Sequence, residues 1–183
     1  MMESLYQAGK TRSIGVSNYR ISDLKTLLTY ARVPLAVNQI ELHPFLPSPR
    51  IVTFCLSHHI IPIAYSPLGS QHQCPTTGEK VLENKVINAI AHEQGLDAAQ
   101  VLISWALQKG WGVLPKSGEL SRIRQNSQTV ELGRDEMQRL DGISADWGEG
   151  KRFVNPINIF GFDFFAGEER VIANDSHNAS GAR

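Results

Sequence analysis

Apolar residues along the chain fall into two alternating kinds of run. Four are short, rich in Val and Ile and bounded by turn or polar residues: SIGVS at 13–17, LAVNQIEL at 35–42, IIPIAYS at 60–66 and WGVLPKS at 111–117. These read as β-strands. The stretches between them carry helical periodicity instead. Leu24, Leu27, Leu28 and Ala31 share one face behind Ser22 as the expected N-cap, and Ile51, Phe54 and Cys55 repeat that spacing within PRIVTFCLSHH. Farther on, Val86, Ile87, Ile90 and Ala91 form a stripe ending near Gly95, and Val101, Leu102, Trp105 and Ala106 form another ending near Gly110. Glycine suits both positions because a left-handed residue closes a helix there. Strand and helix alternate, which is the order of an α/β fold built on a parallel sheet.

Each expected strand closes on polar or aromatic side chains: Ser17 and Asn18, Gln39 and Glu41, Tyr65 and Ser66, Lys116 and Ser117. A single Ser-Asn pair is ordinary turn and capping chemistry. Four such ends in succession point to a shared ligand face, because the carboxyl ends of the strands form that face in βα barrels.

Composition narrows the partners. Of 183 residues 42% are hydrophobic, and Lys+Arg 18 balances Asp+Glu 18, so no charge excess favours nucleic acid or a membrane surface. No apolar run is long enough to span a bilayer and MMESLYQAGK lacks the apolar centre of a secretory signal, so a soluble cytoplasmic protein is expected. The two Asn-X-Ser sites, NDS at 174–176 and NAS at 178–180, are then expected to go unused. Cys55 and Cys74 lack metal or redox spacing and read as passive thiols. Glu41 and His43 would face one side of an extended strand, but no third metal ligand accompanies them. His58 and His59 are expected on the surface at a helix end. Lys116 and Ser117 make a poor hydrolytic dyad, since neighbours on a strand point to opposite faces.

Five segments in order, GKTRSIGVSN, AVNQIELHP, IAYSPLGS, AAQVLISWALQKG and LPKSGELSRIRQN, resemble the second half of the aldo-keto reductase superfamily over about residues 2 to 143. Members of that superfamily are (β/α)8 barrels that bind NADP(H). The segment KRFVNPINIFGFDFF is similar to the C-terminal part of fungal xylose and glycerol-type reductases. The resemblance implies a fold that is the C-terminal half, about strands 5 to 8, of a TIM barrel. It assigns residues 1–167 to a partial reductase domain, and the polar, aperiodic residues 168–183 are expected to be a disordered tail. Half a barrel would leave edge strands unpaired and interior apolar residues uncovered.

The resemblance also gives each strand end a task. Ser17, Asn18 and Gln39 match positions that hydrogen-bond the nicotinamide carboxamide, and Tyr65 matches the aromatic that stacks on the ring. Ser66, Leu68, Gly69 and Ser70 match the loop that crosses the pyrophosphate, where glycine permits close backbone approach. Lys116, Ser117 and Arg122 match the surroundings of the adenosine 2′-phosphate, with Asn126 on the adenine side and Gln125 where many relatives carry glutamate. Two cations and a hydroxyl suit a dianion, which implies NADP(H) rather than NAD(H).

In the family a tyrosine donates the proton, tuned by lysine and aspartate and aided by histidine, all on the first four strands. MMESLYQAGK matches the helix just before the fifth strand, and none of Tyr6, Tyr19, Tyr30 and Tyr65 matches the proton donor. No catalytic residue and no metal ligand is therefore assigned, and the chain alone is expected to be inactive. A small-molecule carbonyl or alcohol is the implied substrate. Phe153, Phe160, Phe162, Phe164 and Phe165 either line an apolar pocket for it or clamp the tail to the barrel. Three readings stay open: a reductase whose complete protein reduces carbonyls, a non-catalytic NADP(H)-binding half-barrel, and a fragment without activity.

Overall fold

Four parallel strands form one sheet in chain order: β1 (Val16–Ser17), β2 (Val37–Glu41), β3 (Ile61–Tyr65) and β4 (Gly112–Leu114). The computed structural model describes residues 1–70, 80–147 and 150–154, and the sheet and its helices all belong to the unit Met1–Phe153. The helices are α1 (Met2–Gln7), α2 (Ile21–Leu28), α3 (Pro49–Ser57), α4 (Lys85–Gln94), α5 (Ala98–Gln108), α6 (Leu120–Asn126) and α7 (Arg134–Asp141). The expected domain boundary near residue 167 and the tail 168–183 lie outside the described residues.

Every strand is shorter than its apolar run, and β1 and β4 keep less than half of theirs. β1 keeps only Val16 and Ser17, although the Ile14 carbonyl still accepts from Ala36 N–H at 2.8 Å. Gly15 lies so close to β2 that a Cβ would meet Val37 Cγ2 at 2.4 Å. β4 stops at Leu114 because the next residue, Pro115, has no N–H for the ladder. Lys116 and Ser117 therefore stand in the loop after the strand, not on it.

The register separates the faces. Asn38, Ile40, Ala64 and Val113 point into the helix layer, where Ile40 and Ala64 join Ile87, Ile90, Val101, Leu102 and Trp105 in the main core. The intervening positions, including Gln39, Ile63 and Gly112 in one row and Glu41, Tyr65 and Leu114 in the next, occupy the other face. That face is incompletely covered: Ile61 and Leu114 are each 50% exposed.

The helical stripes pack as their spacing predicts. Leu24 and Cys55 are fully buried in a second core with Leu35 and Ile60, and α5 buries Gln100–Ala106 on all sides. α4 opens on Asn84, whose Oδ1 accepts from Val86 and Ile87 N–H at 2.9 and 3.3 Å, and closes on Gly95 at φ 66°. The expected cap Ser22 is a correction. α2 begins at Ile21, its N-cap is Arg20, and the Asp23 carboxylate accepts from Arg20 N–H and Nε–H, both at 3.0 Å. The Asp23 carboxylate, at the third helical position, thus satisfies the backbone N–H of the N-cap residue, which is the acidic half of a capping box.

A buried knot closes the end of β2. Glu41 and His43 are buried, with His43 Nε2 3.1 Å from Glu41 Oε1. The same carboxylate accepts from Phe153 N–H at 2.8 Å and from Arg152 Nη1 at 3.2 Å. Phe153 is 6% exposed and packs its ring against His43 and Phe45, so it is a core residue rather than a pocket wall. Phe160, Phe162, Phe164 and Phe165 lie outside the described residues.

Candidate functional site

The carboxyl ends of the strands collect most of the candidate residues. Ser17 is in register with Gln39, and Gln39 with Ile63; one step on, Glu41 pairs with Tyr65 and Tyr65 with Leu114. The Gln39 carbonyl accepts from both Ser17 Oγ–H and Asn18 N–H at 2.9 Å. This staples the end of β1 to β2 and turns Asn18 into the left-handed region at φ 56°, which a short amide tolerates. The side-chain amides of Asn18 and Gln39 have no hydrogen-bond partner among the described residues. Asn18 is exposed and Gln39 half-buried, so both can reach a ligand.

Tyr65, half-buried, ends β3 beside Glu41. The loop after it turns tightly: Ser66, Gly69 and Ser70 have φ of 48°, 81° and 43°, Gly69 N–H donates to Ser66 O at 2.8 Å, and Ser70 Oγ–H donates to Ser66 Oγ. Leu68 packs against the main core. Glycine at 69 has a structural reason of its own, since a Cβ there would meet Val81 Cγ2 at 2.3 Å. Its missing side chain makes room for Val81, a packing reason that stands apart from any ligand.

The third group follows β4. Lys116 is exposed, Ser117 is half-buried and its Oγ accepts from Glu119 N–H at 3.1 Å. On α6, Arg122 and Gln125 are exposed and Asn126 is half-buried. Arg122 Nε lies 3.5 Å from Glu119 Oε2. Sequence reasoning missed Glu119, although its spacing of three from Arg122 across a helix start is a readable ion-pair signal. The donors present fit a dinucleotide phosphate: Lys116, Ser117 and Arg122 offer two cations and a hydroxyl to solvent within one loop and the helix it enters.

The other candidates resolve into structure. Glu41 and His43 belong to the knot with Arg152 and Phe153, and among the described residues no group of three or more His, Cys, Asp and Glu side chains is arranged for a metal ion. His43 Nδ1 and Asn38 Oδ1 are buried without a partner. Cys55 is buried, and that burial pushes its thiol above the ordinary value, opposite to a reactive thiolate. Cys74 lies outside the described residues. His58 and His59 are exposed after α3, as expected. A shallow groove of about 370 Å³ between α5 and residues 129–131 contains none of the strand-end residues. No helix among the described residues is long and apolar enough to cross a membrane.

The sequence pattern of the Aldo/keto reductase family matches residues 1–145. The glycerol 2-dehydrogenase (NADP(+)) of Hypocrea jecorina is 45% identical over 168 residues, which are 92% of this chain and 52% of that protein. The D-galacturonate reductase of the same organism is 43% identical over 166 residues, 89% of this chain and 51% of the relative. The structure of an aldose reductase from Giardia lamblia superposes with a TM-score of 0.80 at 35% identity, covering 90% of this chain and 54% of that one. The chain thus spans about half the length of these relatives. With a family pattern matched over residues 1–145 and a parallel βα sheet carrying the strand-end groups, the chain belongs to the aldo/keto reductase family.

Proposed function

We propose that this chain forms the NADP(H)-binding half of an aldo/keto reductase that reduces aldehydes or ketones to alcohols. Its strands correspond to about the fifth to eighth of the barrel. The observation that carries this reading is the row of unpartnered amides at adjoining strand ends: Asn18 and Gln39 are in reach of a carboxamide needing both donor and acceptor, with Tyr65 one strand further on. Ser66, Gly69 and Ser70 cradle the pyrophosphate through their turned backbone, and Lys116, Ser117 and Arg122 hold the 2′-phosphate, with Gln125 and Asn126 toward adenine. NADPH when bound supplies the hydride. The names of the relatives, glycerol 2-dehydrogenase and D-galacturonate reductase, support small hydroxylated carbonyl compounds or their alcohols as the substrate class.

No residue of this chain is assigned as proton donor. General acid catalysis contributes about 10²- to 10⁴-fold, so the chain alone binds cofactor and turns over carbonyl substrate poorly. Titration of NADPH against the Trp fluorescence of the chain tests the binding claim, with NADH for comparison and Lys116→Ala as the variant. Saturable quenching by NADPH that weakens in Lys116→Ala supports the reading; equal binding by the variant overturns it.

A further inference from the structure

Glu119 places a carboxylate inside the group of residues assigned to the 2′-phosphate clamp. Its Oε2 lies 3.5 Å from Arg122 Nε, and its backbone N–H donates to Ser117 Oγ at 3.1 Å. Two of the three proposed phosphate ligands are therefore engaged by one acidic residue. The side chains of Arg122 and Glu119 are 67% and 62% exposed, so their pair is weak and easily exchanged. An incoming dianion can take Arg122 from Glu119, but the carboxylate then stays beside it and repels it. A ribose with a free 2′-hydroxyl meets the reverse situation. It asks only for an acceptor, and a carboxylate is the group that recognises it in NAD sites.

We propose that Glu119 is a specificity-determining residue that narrows the preference of this site for NADPH over NADH, by competing with the 2′-phosphate for Arg122 and by accepting a hydrogen bond from an unphosphorylated ribose. The inference rests on the assignment of Lys116, Ser117 and Arg122 to the adenosine end. Lys116 is exposed and has no ion-pair partner among the described residues, so it keeps a net attraction for the phosphate while Glu119 sets how far that attraction discriminates.

Calorimetric titration of the chain with 2′,5′-ADP and 5′-AMP reads this directly, since the two probes differ at the ribose 2′ position and neither needs the nicotinamide side. In Glu119→Gln, 2′,5′-ADP is expected to bind about fivefold more tightly, equivalent to about 1 kcal/mol, while 5′-AMP gains nothing. Fluorescence titration with NADPH and NADH should show the same widening. Glu119 is exposed and packs in no core, so the variant keeps its fold, which circular dichroism verifies. An unchanged ratio between the two probes, with Lys116→Ala still weakening 2′,5′-ADP, overturns the role of Glu119 and leaves the clamp standing. Absence of binding by either probe to the parent chain overturns the clamp assignment and this inference with it.

Discussion

Replacing Glu41 by alanine should be among the most damaging single changes outside the apolar core. The side chain is fully buried, and among the groups its carboxylate serves are His43 Nε2 at 3.1 Å and, from a distant part of the sequence, Phe153 N–H at 2.8 Å and Arg152 Nη1 at 3.2 Å. Truncation strands the Phe153 N–H and the His43 ring in a closed environment, each a loss of about 1–3 kcal/mol. Arg152, 22% exposed in its side chain, recovers part of its hydration and adds less. The sum agrees with the roughly 3–5 kcal/mol typical of breaking a buried ion pair. For a domain of this size that is a fall of about 6–20 °C in melting temperature. Glu41→Gln keeps an oxygen for the Phe153 N–H but loses the charge and turns an amide NH2, a donor, toward Arg152, so its effect should be smaller than that of Glu41→Ala but clearly measurable. Urea unfolding followed by tryptophan fluorescence measures both. A Glu41→Ala variant within about 1 kcal/mol of the parent would refute the claim that the knot fastens residues 151–153 to β2.

Other consequences can be checked alongside. Glu3 Oε1 accepts from Val33 and Arg32 N–H, and these bonds hold its carboxyl below the ordinary value. A folded-state pKa lowered in this way stabilises at pH above the unfolded value and is lost as pH falls through the folded one. The stability difference between the parent and Glu3→Gln should therefore be full at neutral pH and vanish in acid; a gap that widens on acidification contradicts it. Asn84→Ala removes the acceptor for two orphan N–H groups of α4 and should cost about 1 kcal/mol in urea unfolding. Trp105→Phe loses an indole N–H bonded to Asp141 Oδ1 at 2.8 Å along with ring area against Trp111, and a destabilisation of about 2 kcal/mol is expected by calorimetry. Gly69→Ala combines φ 81° with a Cβ driven into Val81; loss of several degrees in melting temperature is the expected result, and an unchanged one would contradict the geometry.

Some of this was legible in the sequence and some was not, for physical reasons. β2 and β3 were readable because Val, Ile and Ala runs face a buried layer, and α4 and α5 because their apolar stripes end at glycines that adopt positive φ. β1 and β4 were overread: composition at 13–15 and 115–117 looks strand-like, but β1 starts only at Val16 and Pro115 ends β4 at Leu114. α6 and α7 gave little periodic signal. α6 buries nothing, and α7 buries only Leu140 while Arg139 bonds Glu93 of α4 at 2.7 and 3.1 Å, a long-range pairing invisible in a local window. The strand-end residues stood out as polar groups where apolar runs stop. Their roles came from the resemblance, and the Glu41 knot needed coordinates because Arg152 lies more than a hundred residues away. Glu119 was printed in the sequence but became meaningful only once seen beside Arg122.

Hydrogen exchange followed by mass spectrometry, with and without NADPH, tests the central claim most directly, because that claim concerns several loops acting as one site. If the strand ends form a single dinucleotide clamp, NADPH should slow exchange together in peptides covering Ser17 and Asn18, Gln39, Tyr65 to Ser70 and Lys116 to Asn126, and leave α7 unchanged. Protection confined to the groove between α5 and residues 129–131, or absent from the strand ends at saturating NADPH, would contradict it.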